Sequence, residues 1–141
     1  MRQLFCVLSI IAFLSCQTKK EAEVVEKTTN EFYKQSEMAA LMLLMYETNA
    51  NNKKLILEGK QPAKFPEEFL KIHSAKLTDS TDRTAGFKTF SDFYLNNMKQ
   101  VFESPQDSLI VKHNTTINSC IACHQTTCIG PIPKIKKLLI Q

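Results

Sequence analysis

Helix breakers are scarce in this chain: three glycines and five prolines occur in 141 residues. No run of alternating apolar and polar residues reads as a strand, so the chain is expected to be all-α with few turns. Long apolar runs are missing too. The longest, Leu4 to Leu14, is too short for a spanning helix, which needs about 20 residues. A strong excess of one charge is also absent. The formal net charge is +4 and scattered, with no arginine-rich patch interleaved with aromatics, so nothing points to nucleic acid. What is present is 43% hydrophobic and 23% charged residues, the balance of a globular chain, at a length that suits one domain.

The N-terminus reads as a targeting segment. Met1-Arg2-Gln3 is a short positive region, Leu4 to Leu14 is an apolar core, and Ser15-Cys16 follows. Phe13-Leu14-Ser15-Cys16 is similar to a bacterial lipobox, with Phe where Leu is usual three positions before the Cys. The resemblance implies a lipoprotein signal peptide over 1–15 and a lipid on Cys16. It also implies a place in the cell envelope, anchored on the periplasmic side or in the outer membrane. Residues 16–30 carry Lys19, Lys20, Glu21, Glu23, Glu26 and Lys27 without buried periodicity, and read as a polar tether. The folded domain is expected over 31–141.

Within it, the pattern predicts a first helix from about Glu31 to Glu58, with Met38, Leu41, Met42 and Met45 on one stripe and Gly59 as its stop. Pro62 and Pro66 bracket a connector, and Pro66 opens a short helix with Glu67 and Glu68 in its first turn. A further helix is expected over Asp82 to Glu103, with Phe87, Phe90, Tyr94, Met98 and Val101 in register. Gly86 inside it suggests close packing. The last helix is expected to start at Ser104, with Pro105 at its first position and Asp107 near its cap. Ile110, Ile117, Ile121 and His124 should share one side. Gly130-Pro131-Ile132-Pro133 should end the regular structure. The basic tail after it, with Lys134, Lys136 and Lys137, should pack its apolar residues inward, and a docking patch for an acidic redox partner is the second reading.

The most specific stretch is Cys120-Ile121-Ala122-Cys123-His124, the C-x-x-C-H pattern of covalent haem attachment. Positions three and four apart share a helix face. Cys120 and Cys123 can both reach one porphyrin edge as thioethers, and His124 can bind the iron from the same side. Two other readings compete. A thiol redox pair would sit beside a βαβ pattern, which is absent. A zinc site would draw on Cys120, Cys123, His124 or Cys128, and His113, with two adjacent ligands in an awkward place. Of the other cysteines, Cys6 leaves with the signal peptide and Cys128 has no assigned role.

A helical chain with this motif near its C-terminus resembles the class II cytochromes c, which include cytochrome c′ and its low-spin relatives. The resemblance covers about Glu31 to Cys128. It implies a four-helix-bundle-like fold, here with one short helix, and one covalent haem c near the C-terminal end of the last helix. It also implies that a Met on the first helix can supply a sixth ligand. Met42 is the nearest match, with Met45 one turn later. The short second helix and the residues after the motif depart from the family. Chain geometry offers His73 as a second candidate. The first helix carries the chain about 20 Å away from Met45, and the connector and short helix can bring it back to His73. His113 lies three turns up the same helix from His124 and should not reach the same iron.

These readings favour a non-enzymatic electron carrier that meets redox partner proteins. The alternative is a five-coordinate haem protein binding small gases such as NO or CO. A haem peroxidase lacks support, because no distal His/Arg pair occurs at recognisable spacing.

Overall fold

A computed structural model describes residues 35–141. The signal peptide, the tether, Cys16 and the expected helix start at 31–34 lie outside the described residues. Among those described, the secondary structure is helical and contains no strand. Three long helices form the frame: α1, Glu37–Leu57; α2, Ala85–Glu103; and α3, Leu109–Thr126. A short α4, Ile132–Lys136, follows them, so Gly130 to Pro133 does not end the regular structure as its residues predict; the prolines sit where a first turn tolerates them.

The start of α1 is built by capping. Ser36 Oγ accepts from the Ala39 N–H at 3.1 Å, satisfying one free donor of the first turn. The same end is stapled to the loop before α2. The Met38 N–H donates to the Lys76 carbonyl at 3.0 Å, and the Lys76 N–H donates to Glu37 Oε2 at 2.9 Å. At its other end α1 stops as expected at Gly59, where φ is +70°. The Lys60 and Gly59 N–H groups return to the carbonyls of Leu55 and Ile56, the paired bonds of a Schellman stop.

The short second helix is a 3-10 helix, Glu67–His73. At three residues per turn, Phe69 and Ile72 eclipse each other and both are buried. Phe65 meets Phe69 and Phe102 edge to face, which ties this segment to the end of α2. α2 begins at Ala85, capped by Thr84 Oγ1, three residues later than expected. Its stripe is as read, with Phe87, Tyr94, Met98 and Val101 buried and Phe90 half-buried.

Three sequence readings need correction. Gly86 does not mark a close approach, since an added Cβ would meet only Thr84 Oγ1 at 3.7 Å. Ser104 ends α2 instead of capping the next helix. Its ψ of 153° breaks the helix, Gln106–Ser108 forms a 3-10 turn, and α3 begins at Leu109. The buried face of α3 also differs from the expected one. Leu109, His113, Thr116 and Ile117 face inward, while Ile110 is exposed. The hydroxyls on this side of α3 are satisfied locally, with Thr116 Oγ1 donating to the Lys112 carbonyl and Ser119 Oγ to that of Thr116.

The basic tail contributes to the core. Ile135, Leu138 and Ile140 are buried, and Ile140 joins Ile56, Val101 and Leu109. Its backbone is clasped from two helices. Lys53 Nζ of α1 donates to the carbonyls of Lys137 and Leu139 at 3.0 and 2.7 Å. From α3, Asn114 exchanges two hydrogen bonds with Ile140, and His113 Nε2–H donates to the Leu138 carbonyl at 2.9 Å. His113 Nδ1 is buried with no partner among the described residues.

Two predictions follow from these features. The same substitution should act in opposite directions at two glycines. Gly59→Ala should cost about 1–2 kcal/mol because its φ is left-handed, and Gly86→Ala should stabilise by up to about 1 kcal/mol. Denaturant unfolding of each variant measures both. The second prediction concerns pH. Burial, reinforced by Lys53, holds His113 below the usual imidazole range against the opposing Leu138 bond. The unfolded chain therefore binds the proton more readily. This contribution to stability is complete above about pH 6.5 and falls as pH drops below it. Melting temperatures between pH 7.5 and 5 should decline, and His113→Gln should flatten the decline. Asp79, held low by Thr81, and Asp92, held low by Lys88, act only at more acidic pH.

Candidate functional site

A cavity among the described residues has a volume of about 640 Å³, within the range that holds cofactor-sized ligands. Its walls come from every part of the fold. α1 supplies Met38, Met42, Met45, Tyr46 and Asn49, and α2 supplies Phe87, Phe90, Ser91 and Tyr94. Ile72, Leu77 and Thr78 close one side. The last turns of α3 and the loop after it supply Cys120, Cys123, His124 and Cys128, and Ile135 and Leu138 close the other side.

Cys120, Cys123 and His124 therefore share one wall, as positions three and four apart on a helix must. Cys120 lies deepest and packs against two hydrophobic clusters. Burial, with Cys123 close by, pushes its thiol up to about 12. Cys123 is raised as well, by burial alone. Cys128 is exposed.

The ring of His124 is oriented by the end of its helix. Past Thr126 the chain turns back, and the Cys128 carbonyl comes within 2.8 Å of His124 Nδ1. A carbonyl can only accept, so Nδ1 carries the proton and donates it. In the neutral ring Nε2 then keeps its lone pair for a metal, the usual arrangement for a metal-binding imidazole. Thr126 Oγ1 caps the Cys123 carbonyl at 2.8 Å and holds this last turn closed. The donor set and the orientation of this ring suit a covalently held haem.

The other candidates are distributed unevenly. Met42 is half-buried and lines the cavity, and Met45 lines it from a more buried position in the core. His73 does not line it. On a 3-10 helix each residue turns by about 120°. With Ile72 facing the core, His73 points outward to α2, its Nε2 3.2 Å from Asp92 Oδ1 and its Nδ1 3.4 Å from Ser91 Oγ. His113 is committed to Leu138, away from the cavity. No three His, Cys, Asp or Glu side chains among the described residues converge as a metal cluster.

Two lining residues were not singled out in the sequence as site residues. Tyr94 and Asn49 are 3% and 1% exposed, and Tyr94 Oη and Asn49 Oδ1 have no hydrogen-bond partner among the described residues. A signal was available for Asn49: it stands seven residues after Met42 and four after Met45, a polar residue on an apolar stripe. Searches against protein-family models, curated proteins and solved structures found no match to this chain.

Thiol reactivity in haem-free, folded protein should follow these surroundings. At pH 8 a thiol at about 12 carries on the order of a thousandfold less thiolate than an ordinary one. Iodoacetamide should label Cys128 first and Cys120 last, and denaturant should erase the difference. Mass spectrometry of timed samples gives the order.

Proposed function

We propose that this chain is a membrane-anchored c-type cytochrome that carries one covalent haem and transfers single electrons. The observation that supports this reading best is one wall shared by Cys120, Cys123 and His124 in a cavity of about 640 Å³, with His124 Nδ1 committed to the Cys128 carbonyl. In this reading Cys120 and Cys123 hold the porphyrin through thioethers and His124 Nε2 is the proximal ligand. Met42 supplies the sixth ligand, because it lines the cavity without being locked into the core as Met45 is. His73 is the weaker candidate, since both its ring nitrogens have polar neighbours on α2.

When bound, the haem supplies one-electron chemistry between ferric and ferrous iron. The protein's part is to bind, orient and exclude water. Phe87, Phe90, Ile72 and Leu138 give the cavity an apolar wall. The architecture is read as bundle-like, with the 3-10 segment in the place of one helix. The lipid on Cys16 holds the protein in the cell envelope, where it meets redox partner proteins.

Protein exported from a bacterial host should keep a coloured haem band after denaturing electrophoresis, and Cys120→Ala with Cys123→Ala should abolish it. The optical spectrum should be six-coordinate and low-spin and should not respond to CO. Met42→Ala should convert it to high-spin, while His73→Ala should leave it unchanged. Purified exported protein without haem overturns the reading. A five-coordinate ferrous form that binds CO overturns the electron-carrier assignment in favour of gas binding.

A further inference from the structure

The C-terminal segment 132–141 is held differently from the three long helices. α4 has only five residues, and the exposed loop from Thr127 to Pro131 joins it to α3. Its backbone is fixed by side chains that reach it from α1 and α3. Lys53 Nζ donates to the Lys137 and Leu139 carbonyls, Asn114 pairs with Ile140, and His113 Nε2–H donates to the Leu138 carbonyl at 2.9 Å. The same segment places Ile135 and Leu138 along one side of the cavity. His113 is the titratable member of this clasp, and its ring is fully buried. Donation from Nε2 leaves Nδ1 as a lone pair in the neutral ring, with no partner among the described residues. A second proton on Nδ1 has no acceptor there, and it puts a full charge near the Lys53 ammonium of α1. The other groups around the ring do not offset that charge. The buried polar residues of α1 and of this half of α2, Asn49, Asn52 and Asn97, are neutral. On α3 itself, Lys112 reaches across to Gln100 of α2, and the lysines of the tail are exposed. No carboxylate among the described residues pairs with His113.

We infer that segment 132–141 is a strap along the cavity, released when His113 takes up a proton from solvent. With the strap in place, burial and Lys53 hold the imidazole below its usual range. Once the strap lifts, the ring meets water and returns toward about 6.5. The released form therefore binds the proton more readily. The closed form is fully favoured above about pH 6.5 and loses ground as pH falls below it. The strap yields before the bundle does. Lifting it uncovers Ile135, Leu138 and Ile140, whereas separating a long helix breaks the core that joins α1, α2 and the 3-10 helix. Segments with few buried apolar contacts open at the lowest cost. Acidification thus opens the cavity on the side made by Ile135 and Leu138 and leaves the wall of Cys120, Cys123 and His124 in place. The device belongs to the chain's own tail and does not depend on which group the cavity holds.

Backbone hydrogen exchange of the exported full-length protein, read by mass spectrometry between pH 7.5 and 5, tests the strap. Peptides of α2 serve as the internal reference for the pH dependence of the exchange chemistry. Relative to α2, protection of segment 132–141 should fall by about tenfold or more, and about thirtyfold is the ceiling for one imidazole near 6.5. His113→Gln keeps a donor for the Leu138 carbonyl and cannot titrate, so its strap should show no such fall. In the unaltered chain, exchange of the ring hydrogen of His113 should report proton uptake over the pH interval in which the strap opens. That measurement decides the matter even where His113→Gln does not fold. Loss of protection in α2 and the strap together overturns the proposal, because the whole domain is then unfolding. So does a fall that persists in His113→Gln, or proton uptake by His113 with the strap still protected.

Discussion

A helix end must satisfy its last carbonyls and must also turn the chain, and in this protein one hydrogen bond serves the site while that happens. The Cys128 carbonyl reaches back to His124 Nδ1 at 2.8 Å. It fixes the tautomer of the ring and the path of the loop that leads into α4. Without that turn, Ile135 and Leu138 would have no route back over α3, and the cavity would lack one wall. The orientation of the candidate ligand and the closure of the cavity thus depend on the same few residues after Thr126.

The rest of the fold supports the cavity from a distance. The staple between Glu37, Met38 and Lys76 holds Leu77 and Thr78 at the rim. Arg83 adds to this by donating to the carbonyls of His73 and Ala75 while stacking over Phe87. At the opposite side the clasp of Lys53, His113 and Asn114 fixes the C-terminal backbone. These contacts are polar and lie around the cavity. Its lining stays mostly apolar, which suits a prosthetic group whose chemistry needs a dry site.

Polar residues inside the protein separate into two kinds. Thr116 and Ser119 return their hydroxyls to their own helix, so they are buried without needing partners elsewhere. Asn49 and Tyr94 do not do this fully: Asn49 Oδ1 and Tyr94 Oη, like His113 Nδ1, are buried with no hydrogen-bond partner among the described residues. The first kind reflects tolerance of small polar groups on a helix.

Much of the frame was legible in the sequence. Stripes at helical spacing located α1 and α2, Gly59 marked a stop, and the spacing of Cys120, Cys123 and His124 guaranteed one shared face wherever the helix went. These are local properties, set by backbone geometry within a few residues. Other features depended on contacts between distant segments. α3 starts at Leu109 because the chain stays extended at Ser104, and the packing of α3 against the C-terminal tail buries His113 and leaves Ile110 outward. His73 pointed away from the cavity because its helix has three residues per turn, a tightening that no periodicity in seven residues reveals. The wall made by the tail and the buried surroundings of Asn49 and Tyr94 exist only once α1, α2, α3 and the C-terminus meet, whereas the carbonyl that orients His124 comes from only four residues further along the chain. The sequence by itself determined which residues could share a face, and the tertiary structure decided which of those faces looked into the cavity.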